Sequence, residues 1–204
     1  MSDQNRIHQC CTNSCPAPSS AGFPILSGRF RQALRIATLA HHDQNRLDGS
    51  PALWHPIEVL FQLQRHNVTD VDLLCAGLLH DALEDNPERR TELQSLIQHD
   101  LGKPIAGWVE MLTDDPKLPN SAARKAEQLA MLGYAPAEVR TIKLADRLAN
   151  LLSGPAPTWS KAKCAAYARH SWQLLQAAQR THDGLQQSIR SVLMGSVWGQ
   201  YRPQ

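Results

Sequence analysis

Apolar residues recur every three or four positions along most of the chain, which is the spacing of amphipathic helices. The segment FRQALRIATLAHH has four residues on one such face: Phe30, Leu34, Ala37 and His41. Similar stripes follow through the chain, whereas the sequence contains no convincing run of alternating β-branched residues and no internal repeat. The pattern therefore predicts an all-α fold.

Capping and helix-breaking residues indicate where these helices begin and end. Thr69 is expected to cap a helix that runs to Asp81. Thr91 and Gln94 match a capping box, which would open a helix that ends near Gly102. The other predicted helices are a short one before TDDPKLPN, one over residues 121–132 before Gly133, one over residues 137–152 before Ser153, Gly154 and Pro155, and two long ones after Ser160.

Length and composition fit one globular domain, with 204 residues and a hydrophobic fraction of 42%. We expect a flexible N-terminal arm over residues 1–25, one compact helical domain over residues 26–198 and a C-terminal tail over residues 199–204. The net charge of +2 and a pI of about 8.3 are too mild for a dedicated nucleic-acid binder. An anionic small molecule in a local pocket is the expected partner, and the sequence names no protein partner.

No segment reaches the roughly 20 consecutive apolar residues of a membrane helix, and the N-terminus lacks a secretory pattern. We therefore expect a cytoplasmic protein with no membrane partner. Three cysteines, Cys10, Cys11 and Cys15, cluster in the polar N-terminal arm. Their spacing matches no standard metal-ligand pattern, so we interpret them as free thiols on a mobile arm.

The octapeptide LLHDALED, residues 78–85, ends an apolar run with a histidine and three carboxylates. On a helix, residues four apart share a face, so His80 would stack with Glu84, and Asp81 with Asp85. Like charges at that spacing destabilise a helix unless a cation neutralises them, and mixed imidazole and carboxylate groups suit a divalent metal. For this segment alone, a solvated acidic helix end is the alternative.

Two further positions strengthen the metal interpretation. His55 is followed by a proline in WHPIEV, and proline at a first helical position would leave His55 at the mouth of a helix. Asp146 lies on the strongly apolar segment IKLADRLAN. Taken singly, His55 could belong to a capped turn, and Asp146 could pair with Arg147 or Lys143. The group as a whole offers two imidazoles and two carboxylates from three helices: His55, His80, Asp81 and Asp146.

The order of these motifs resembles that of the HD metal-dependent phosphohydrolases. Five blocks match in order and span residues 40–167: AHHDQNRLDGSPALWHP, LLHDALEDN, LTDDPKLP, TIKLADRLANL and WSKAKCAAY. The acidic pair after the HD residues and the LADR block make the chain similar to the hydrolase domain of the RelA/SpoT family, in particular to the stand-alone small alarmone hydrolases. The resemblance implies a single helical HD-domain fold over residues 26–198.

The same resemblance implies a manganese-dependent hydrolase that removes the 3′-pyrophosphate of ppGpp and pppGpp, giving GDP or GTP and pyrophosphate. It implies one Mn²⁺ ion held by His55, His80, Asp81 and Asp146. Glu84 and Asp85 match the acidic pair that handles the attacking water. The implied substrate contacts are Arg46 stacked on the base, Asn150 and Tyr167 against the nucleoside, and Lys163 facing the phosphates.

The chemistry of phosphate ester hydrolysis agrees with this assignment. A divalent metal neutralises charge on phosphoryl oxygens and lowers the pKa of a bound water. Four protein ligands on an ion that favours six leave room for water and substrate. Glu84 and Asp85 could then orient the water and accept its proton, and repulsion from the metal-ligating carboxylates would raise the pKa of one of the pair.

The chain departs from the family pattern on the substrate side. Leu47 stands where a lysine usually follows the arginine, Ala52 stands where tyrosine is common, and Asn120 lies near a position that is basic in relatives. Hydrolysis of adenosine alarmones such as ppApp, or of the 2′-phosphate of NADPH, therefore stays open, as does another nucleotide phosphatase activity. A non-catalytic nucleotide-sensing module is the alternative from another class, although the intact ligands and acidic pair favour an enzyme.

Overall fold

The computed structural model describes residues 27–201, and this part of the chain is built from nine α-helices. They are α1 (Gly28–His41), α2 (Trp54–Arg65), α3 (Val71–Leu79), α4 (Arg90–Leu101), α5 (Lys103–Leu112), α6 (Ser121–Leu132), α7 (Ala137–Ser153), α8 (Lys161–Ala177) and α9 (Asp183–Met194). Two 3₁₀ turns cover Pro87–Arg89 and Gly199–Tyr201. Within these residues, β geometry is limited to an isolated bridge between Asn45 and Pro51, so the all-α prediction is confirmed.

α3 lies at the centre of the core, and each residue from Leu73 to Leu79 is buried. It packs against α1, α2, α5 and α7. At Gly77 the packing is especially close, because a Cβ atom there would lie 2.6 Å from Leu63 Cδ1 on α2. A side chain at Gly77 would therefore require the Leu63 side chain to move. Since α3 is fixed on several sides, the turn that follows it is also fixed.

α7 also runs through the interior, with every residue from Thr141 to Ala149 buried. It packs against α2, α5 and α9, and the Trp198 indole Nε1–H donates a hydrogen bond of 2.9 Å to the Leu151 carbonyl. The helix ends at Gly154, whose φ of 76° lies in the left-handed region that glycine adopts without strain. The middle of α7 is therefore a rigid, buried position.

The start of α3 differs from the prediction by one residue. Asp70, not Thr69, caps this helix, because its carboxylate accepts hydrogen bonds from the backbone N–H groups of Asp72 and Leu73. A carboxylate suits this position because it can accept both N–H groups at once and also faces the positive end of the helix dipole. The expected end of the same helix at Asp81 is wrong as well, because α3 ends at Leu79.

The predicted capping box of Thr91 and Gln94 is wrong. α4 begins at Arg90, directly after the 3₁₀ turn, and has Arg89 as its N-cap residue. Gln94 is used elsewhere, since its side-chain amide donates a hydrogen bond of 3.3 Å to the Ala106 carbonyl on α5. The turn before α4 supplies the helix start, so a side-chain cap is not needed there.

The predicted arm over residues 1–25, with Cys10, Cys11 and Cys15, lies outside the described residues. At the other end, Tyr201 packs on Trp198 with ring centroids 6.4 Å apart. The predicted boundaries of the arm, the domain and the tail stay predictions. Among residues 27–201, the helices are too short or too polar to cross a membrane.

Candidate functional site

Three separate elements bring two histidines and two aspartates together. His55 lies in the first turn of α2, His80 and Asp81 follow α3, and Asp146 lies in the middle of α7. The His55 Nε2 atom is 3.2 Å from Asp146 Oδ1 and 3.6 Å from Asp81 Oδ2. The His80 Nε2 atom is 3.1 Å from Asp81 Oδ1 and 3.9 Å from Asp146 Oδ1. The structure thus brings all four expected metal ligands into one cluster.

The backbone around His80 differs from the predicted helix. Residues 80–84 form a turn, so LLHDALED does not continue α3 as a regular helix. The His80 Nδ1–H lies 2.9 Å from the Gly77 carbonyl, which is the carbonyl that a continuing helix would offer to the Asp81 N–H. The Asp85 N–H still donates to the Asp81 carbonyl at 3.0 Å, so one helix-like turn survives around the carboxylates.

The position of His55 also differs from the prediction. α2 begins at Trp54, so His55 lies inside the helix and Pro56 is its third residue. The helix starts early because the Trp54 N–H donates to the Pro51 carbonyl at 3.0 Å and the His55 N–H to the Ala52 carbonyl at 3.2 Å. The first turn of α2, not its mouth, therefore holds the imidazole.

The hydrogen bond between His80 Nδ1 and the Gly77 carbonyl fixes the His80 tautomer. A carbonyl oxygen only accepts, so Nδ1 carries a proton and Nε2 is left to face the cluster. The Nε2 atom is buried and faces the Asp81 carboxylate, whose Oδ1 atom lies 3.1 Å away. A buried imidazole nitrogen oriented in this way by a backbone carbonyl is the usual arrangement of a metal-ligating histidine.

The His55 ring also has an acceptor near its Nδ1 atom, the Glu58 carboxylate, but at a separation too long for a hydrogen bond. Its Nδ1 atom and the Glu58 Oε2 atom are 3.9 Å apart, and both are buried without a hydrogen-bond partner among the described residues. The Nε2 side of the ring faces Asp146. Ligand atoms of His55, His80 and Asp146 all lie within 4.8 Å of one another. With Asp81 beside them, these mixed nitrogen and oxygen donors fit a divalent metal ion.

The two carboxylate oxygens of Asp146 contact different neighbours. Oδ1 faces the imidazoles and accepts a hydrogen bond of 2.6 Å from the Asn150 amide, while Oδ2 lies 3.1 Å from the Lys143 ammonium. The expected pairing of Asp146 with a nearby cation therefore exists, through Lys143. This ion pair is compatible with a metal site, because it uses Oδ2 and leaves Oδ1 facing His55.

Charges within the cluster control its protonation. Burial lowers the pKa of His80, but the Asp81 and Asp146 carboxylates outweigh burial and raise that pKa to about 9. Burial raises the pKa of Asp81, but His80 and His55 outweigh it and lower that pKa to about 2. Burial also acts against ionisation of Asp146, yet Lys143 and the histidines hold its pKa well below the usual range. Both aspartates are therefore anionic at neutral pH, as metal ligands must be.

The two acidic residues after His80 and Asp81 both have raised pKa values. For Glu84, burial is the largest cause, Asp114 and Asp81 add to it, and Lys143 opposes it. For Asp85, burial is again the largest cause, followed by the Asp81 carboxylate. The sequence predicted repulsion from the ligands as the cause of one such rise. The Asp81 carboxylate does raise both pKa values, and the partial loss of solvent around these two pocket-facing, still exposed side chains adds the larger part. Carboxylates with raised pKa values are the groups that exchange protons most readily near neutral pH.

The cluster opens into a pocket of about 560 Å³, which is large enough for a nucleotide. Two predicted substrate contacts, Arg46 and Asn150, line this pocket. Leu47 and Ala52 line it as well, so two departures from the family pattern lie where they can affect substrate choice. The third, Asn120, instead caps α6 by accepting a hydrogen bond from the Ala123 N–H.

The other two predicted substrate contacts lie on α8, outside the residues that line the pocket. Lys163 is exposed, and its ammonium lies 4.5 Å from the centroid of the Trp159 ring. Tyr167 packs against Trp159 and Trp198, and the Arg147 guanidinium lies 4.5 Å from its ring centroid. A role for either residue in substrate binding stays a prediction.

Sequence reasoning missed three residues that line the pocket: Gln44, Asn45 and Lys143. Lys143 was considered only as a charge partner, although its spacing of three residues before Asp146 places both on one helical face. Its pKa is raised by Asp146 and Asp81 despite the opposing effect of burial, so it is a fixed cation at the metal cluster. Gln44 gave no signal, because a glutamine in a polar loop has no distinctive spacing.

Comparison with known proteins identifies relatives of this site and fold. The HD domain family model matches residues 33–181. Guanosine-3′,5′-bis(diphosphate) 3′-pyrophosphohydrolase MESH1 from Mus musculus is 32% identical over 172 residues, which cover 81% of this chain and 93% of the relative. The bifunctional (p)ppGpp synthase/hydrolase SpoT from Escherichia coli (strain K12) is 34% identical over 128 residues, which cover 60% of this chain and 18% of SpoT.

A solved structure agrees with these sequence relatives. It is described as a metazoan ortholog of SpoT that hydrolyzes ppGpp and plays a role in starvation responses. Its TM-score with this chain is 0.74 at 25% sequence identity, and the match covers 82% of this chain and 94% of that one. The arrangement of helices around the cluster is therefore shared over nearly the whole length of the neighbour.

Proposed function

The chain belongs to the HD-domain family, and from this premise we propose that it hydrolyses guanosine alarmones. The proposed reaction converts ppGpp or pppGpp to GDP or GTP, with release of the 3′-pyrophosphate. One observation carries the proposal: His55, His80, Asp81 and Asp146 converge beside a pocket that is lined by three of them and by two carboxylates with raised pKa values. Relatives named for this activity cover most of the chain.

We assign a single divalent ion to the cluster, and Mn²⁺ is the proposed species. Imidazole and carboxylate donors together suit divalent metals of this type, which favour six ligands. Such an ion, when bound, neutralises phosphoryl charge and makes a water molecule more acidic. The protein contributes by orienting the donors. His80 is fixed by the Gly77 carbonyl, and Asp146 is fixed by Lys143 and Asn150.

Hydrolysis breaks the bond between the ribose 3′-oxygen and the adjacent phosphorus, and water supplies the new oxygen on pyrophosphate. Glu84 or Asp85 accepts one proton of that water, and the 3′-oxygen leaves as a hydroxyl group after it gains a proton. The raised pKa values of both carboxylates bring their proton affinity closer to that of the reacting groups. Glu84 is oriented by the Asp114 N–H, which donates to its Oε2 atom at 3.3 Å.

Cations in the pocket balance the charge of the substrate. Lys143 is close to the reacting end, beside Asp146. Arg46 lines the same pocket, 3.7 Å from the Glu58 carboxylate, and is proposed to stack on the purine base. Asn150 and, from α8, Tyr167 are proposed to contact the nucleoside, and Lys163 is proposed to face the phosphates. The proposed substrate is a free nucleotide, and a cytoplasmic location remains part of the proposal.

The test is a product assay with the Mn²⁺-loaded protein and four substrates: ppGpp, pppGpp, ppApp and NADPH. The proposal predicts GDP plus pyrophosphate from ppGpp and GTP plus pyrophosphate from pppGpp, identified by chromatography. His80→Ala serves as the inactive control for contaminating phosphatases. Release of single phosphates from ppGpp, or turnover of NADPH alone, would contradict the proposed reaction.

A further inference from the structure

A chain of directed hydrogen bonds joins the end of α1 to the turn that holds the acidic pair. The Asn86 amide Nδ2–H donates to the Ala82 carbonyl at 2.9 Å. The Gln44 amide Nε2–H donates to the Asn86 Oδ1 atom at 3.2 Å and to the Asp85 carbonyl at 3.1 Å. At the other end, Gln44 Oε1 lies 2.9 Å from His41 Nδ1.

The direction of each bond in this chain is determined. The Ala82 and Asp85 carbonyls can only accept hydrogen bonds, so Asn86 and Gln44 must turn their NH₂ groups toward them. This leaves Gln44 Oε1 facing the His41 ring, and His41 must therefore carry a proton on Nδ1. Neither amide can flip without placing two acceptors or two donors against each other.

The His41 end of the chain is held rigidly. His41 is the last residue of α1 and is 2% exposed. Its Nδ1 atom also lies 3.8 Å from Asp85 Oδ2. The ring therefore lies beside both Gln44 and Asp85. Gln44 itself lines the pocket next to Asp85. The buried helix end is thus connected to the backbone of a proposed catalytic residue through one side chain.

We propose that Gln44 is a positioning residue for Asp85, which it fixes by bonding to the Asp85 carbonyl and to the next residue. The inference rests on the proposed function, because Asp85 acts on the attacking water there. Gln44 makes its bonds to the turn and not to the metal cluster. Its removal therefore affects the rate of the chemical step, while metal binding and substrate affinity are retained.

The kinetic test uses Gln44→Met, which keeps the length of the side chain and removes its donors and acceptor. The expected result is a kcat lower by about 10- to 100-fold, the scale of a small misplacement of a catalytic group. KM for ppGpp and the Kd for Mn²⁺ should stay within about twofold. Gln32→Met, at an exposed position of α1, is the matched control and should leave kcat unchanged.

A double-mutant cycle separates positioning from a general loss of stability. If Gln44 acts through Asp85, Gln44→Met should cost little further rate once Asp85→Asn is present. Equal fold-losses in both backgrounds, or a Gln44→Met protein with wild-type kcat, would overturn the proposal. A parallel rise in KM or in the Kd for Mn²⁺ would assign Gln44 to binding and also overturn it.

A measurement that needs no substrate distinguishes failure of this inference from failure of the proposed function. Nitrogen NMR of the His41 ring should show a proton on Nδ1, and Gln44→Met should speed hydrogen exchange of the Asp85 amide by about tenfold or more. A ring without a proton on Nδ1, or unchanged exchange, would refute the positioning role even in an active enzyme. If both NMR results are as expected but the wild-type protein leaves ppGpp intact, the proposed function is refuted instead.

Discussion

The Lys143 ammonium lies 3.1 Å from Asp146 Oδ2, on the opposite side of the carboxylate from His55. Both side chains are almost fully buried on α7. The ammonium fixes the direction of the carboxylate, and it supplies the charge that keeps Asp146 ionised. Lys143 therefore orients Asp146 and helps to keep it ionised even when no metal ion is bound.

Removing this ammonium should destabilise the metal-free protein. Lys143→Met is expected to lower the free energy of unfolding by roughly 3 kcal/mol, because it leaves a buried carboxylate without its partner. Mn²⁺ should restore most of the loss, since the ion then neutralises Asp146. Thermal unfolding with and without Mn²⁺ measures both effects.

The matched control for that experiment is Lys103→Met, at an exposed lysine on the first residue of α5. It should change stability by less than about 0.5 kcal/mol and should respond to Mn²⁺ like the wild type. If Lys143→Met were as stable as the control without metal, the ion pair would have no structural role.

Metal binding should depend on pH through His80. Its pKa is raised to about 9 by Asp81 and Asp146, so the protonated ring stabilises the metal-free fold below pH 6.5, and this contribution is lost as pH rises through about 9. A metal ion needs the unprotonated Nε2 atom, so the affinity for Mn²⁺ should increase over the same range and about one proton should be released per ion near pH 7.

Calorimetric titration of Mn²⁺ in two buffers of different ionisation enthalpy, repeated between pH 6.5 and 9, measures that proton release. His80→Gln should bind Mn²⁺ weakly and lose the pH dependence. An affinity that stays constant across this range in the wild type would mean that the imidazole is already neutral without metal.

The acidic pair should affect the rate more than binding. Glu84→Gln and Asp85→Asn are each expected to lower kcat by about 10²–10⁴-fold, the range typical of a lost general base. The Kd for Mn²⁺ should change by only a few-fold, because the cluster ligands are untouched. Glu88→Gln, at an exposed residue of the following 3₁₀ turn, is the control. Loss of Mn²⁺ binding in Glu84→Gln, without a separate effect on rate, would make Glu84 a ligand instead.

Base selectivity should be modest. Arg46 lines the pocket, whereas the neighbouring Leu47 side chain is 95% exposed and brings no second cation. Stacking on a guanidinium tolerates either purine. The ratio of kcat/KM for ppGpp and ppApp should therefore be well below the ~10⁴-fold that a fully hydrogen-bonding site achieves. Arg46→Ala should raise KM for both purines alike, and Arg65→Ala, on the exposed end of α2, should not.

A several-thousandfold preference for one purine would contradict this expectation. Such a preference would require a side chain or backbone group that reads the edge of the base.

The order of helices could be predicted from local spacing, and the convergence of four polar residues could be predicted from their unusual positions together with the family resemblance. The three- and four-residue spacing of apolar positions predicted the helices. The end of α6 followed from Gly133, and the end of α7 was predicted to within one residue, since Ser153 belongs to the helix and Gly154 follows it. The cluster could be inferred because His55, His80, Asp81 and Asp146 are polar residues in apolar surroundings. The family resemblance is confirmed by the match over residues 33–181.

The local conformation of the site could not be predicted in the same way. The LLHDALED segment fits a helix by spacing, but the His80 side chain takes the Gly77 carbonyl and ends the helix. Competition between a side chain and the backbone for one acceptor is not visible in a pattern of apolar residues. The contacts of Gln44 with Asp85 and Asn86 join positions more than 40 residues apart, so they depend on tertiary packing.

Turnover of ppGpp measured against the number of Mn²⁺ ions bound per chain tests the central claim most directly. The metal-free protein should be inactive, and the rate should rise in proportion to Mn²⁺ until one ion is bound per chain, with GDP and pyrophosphate as the products. His80→Ala and Asp146→Ala should fail to bind that ion and remain inactive. Full activity after exhaustive chelation, or activity in either variant at the wild-type level, would contradict the proposed site.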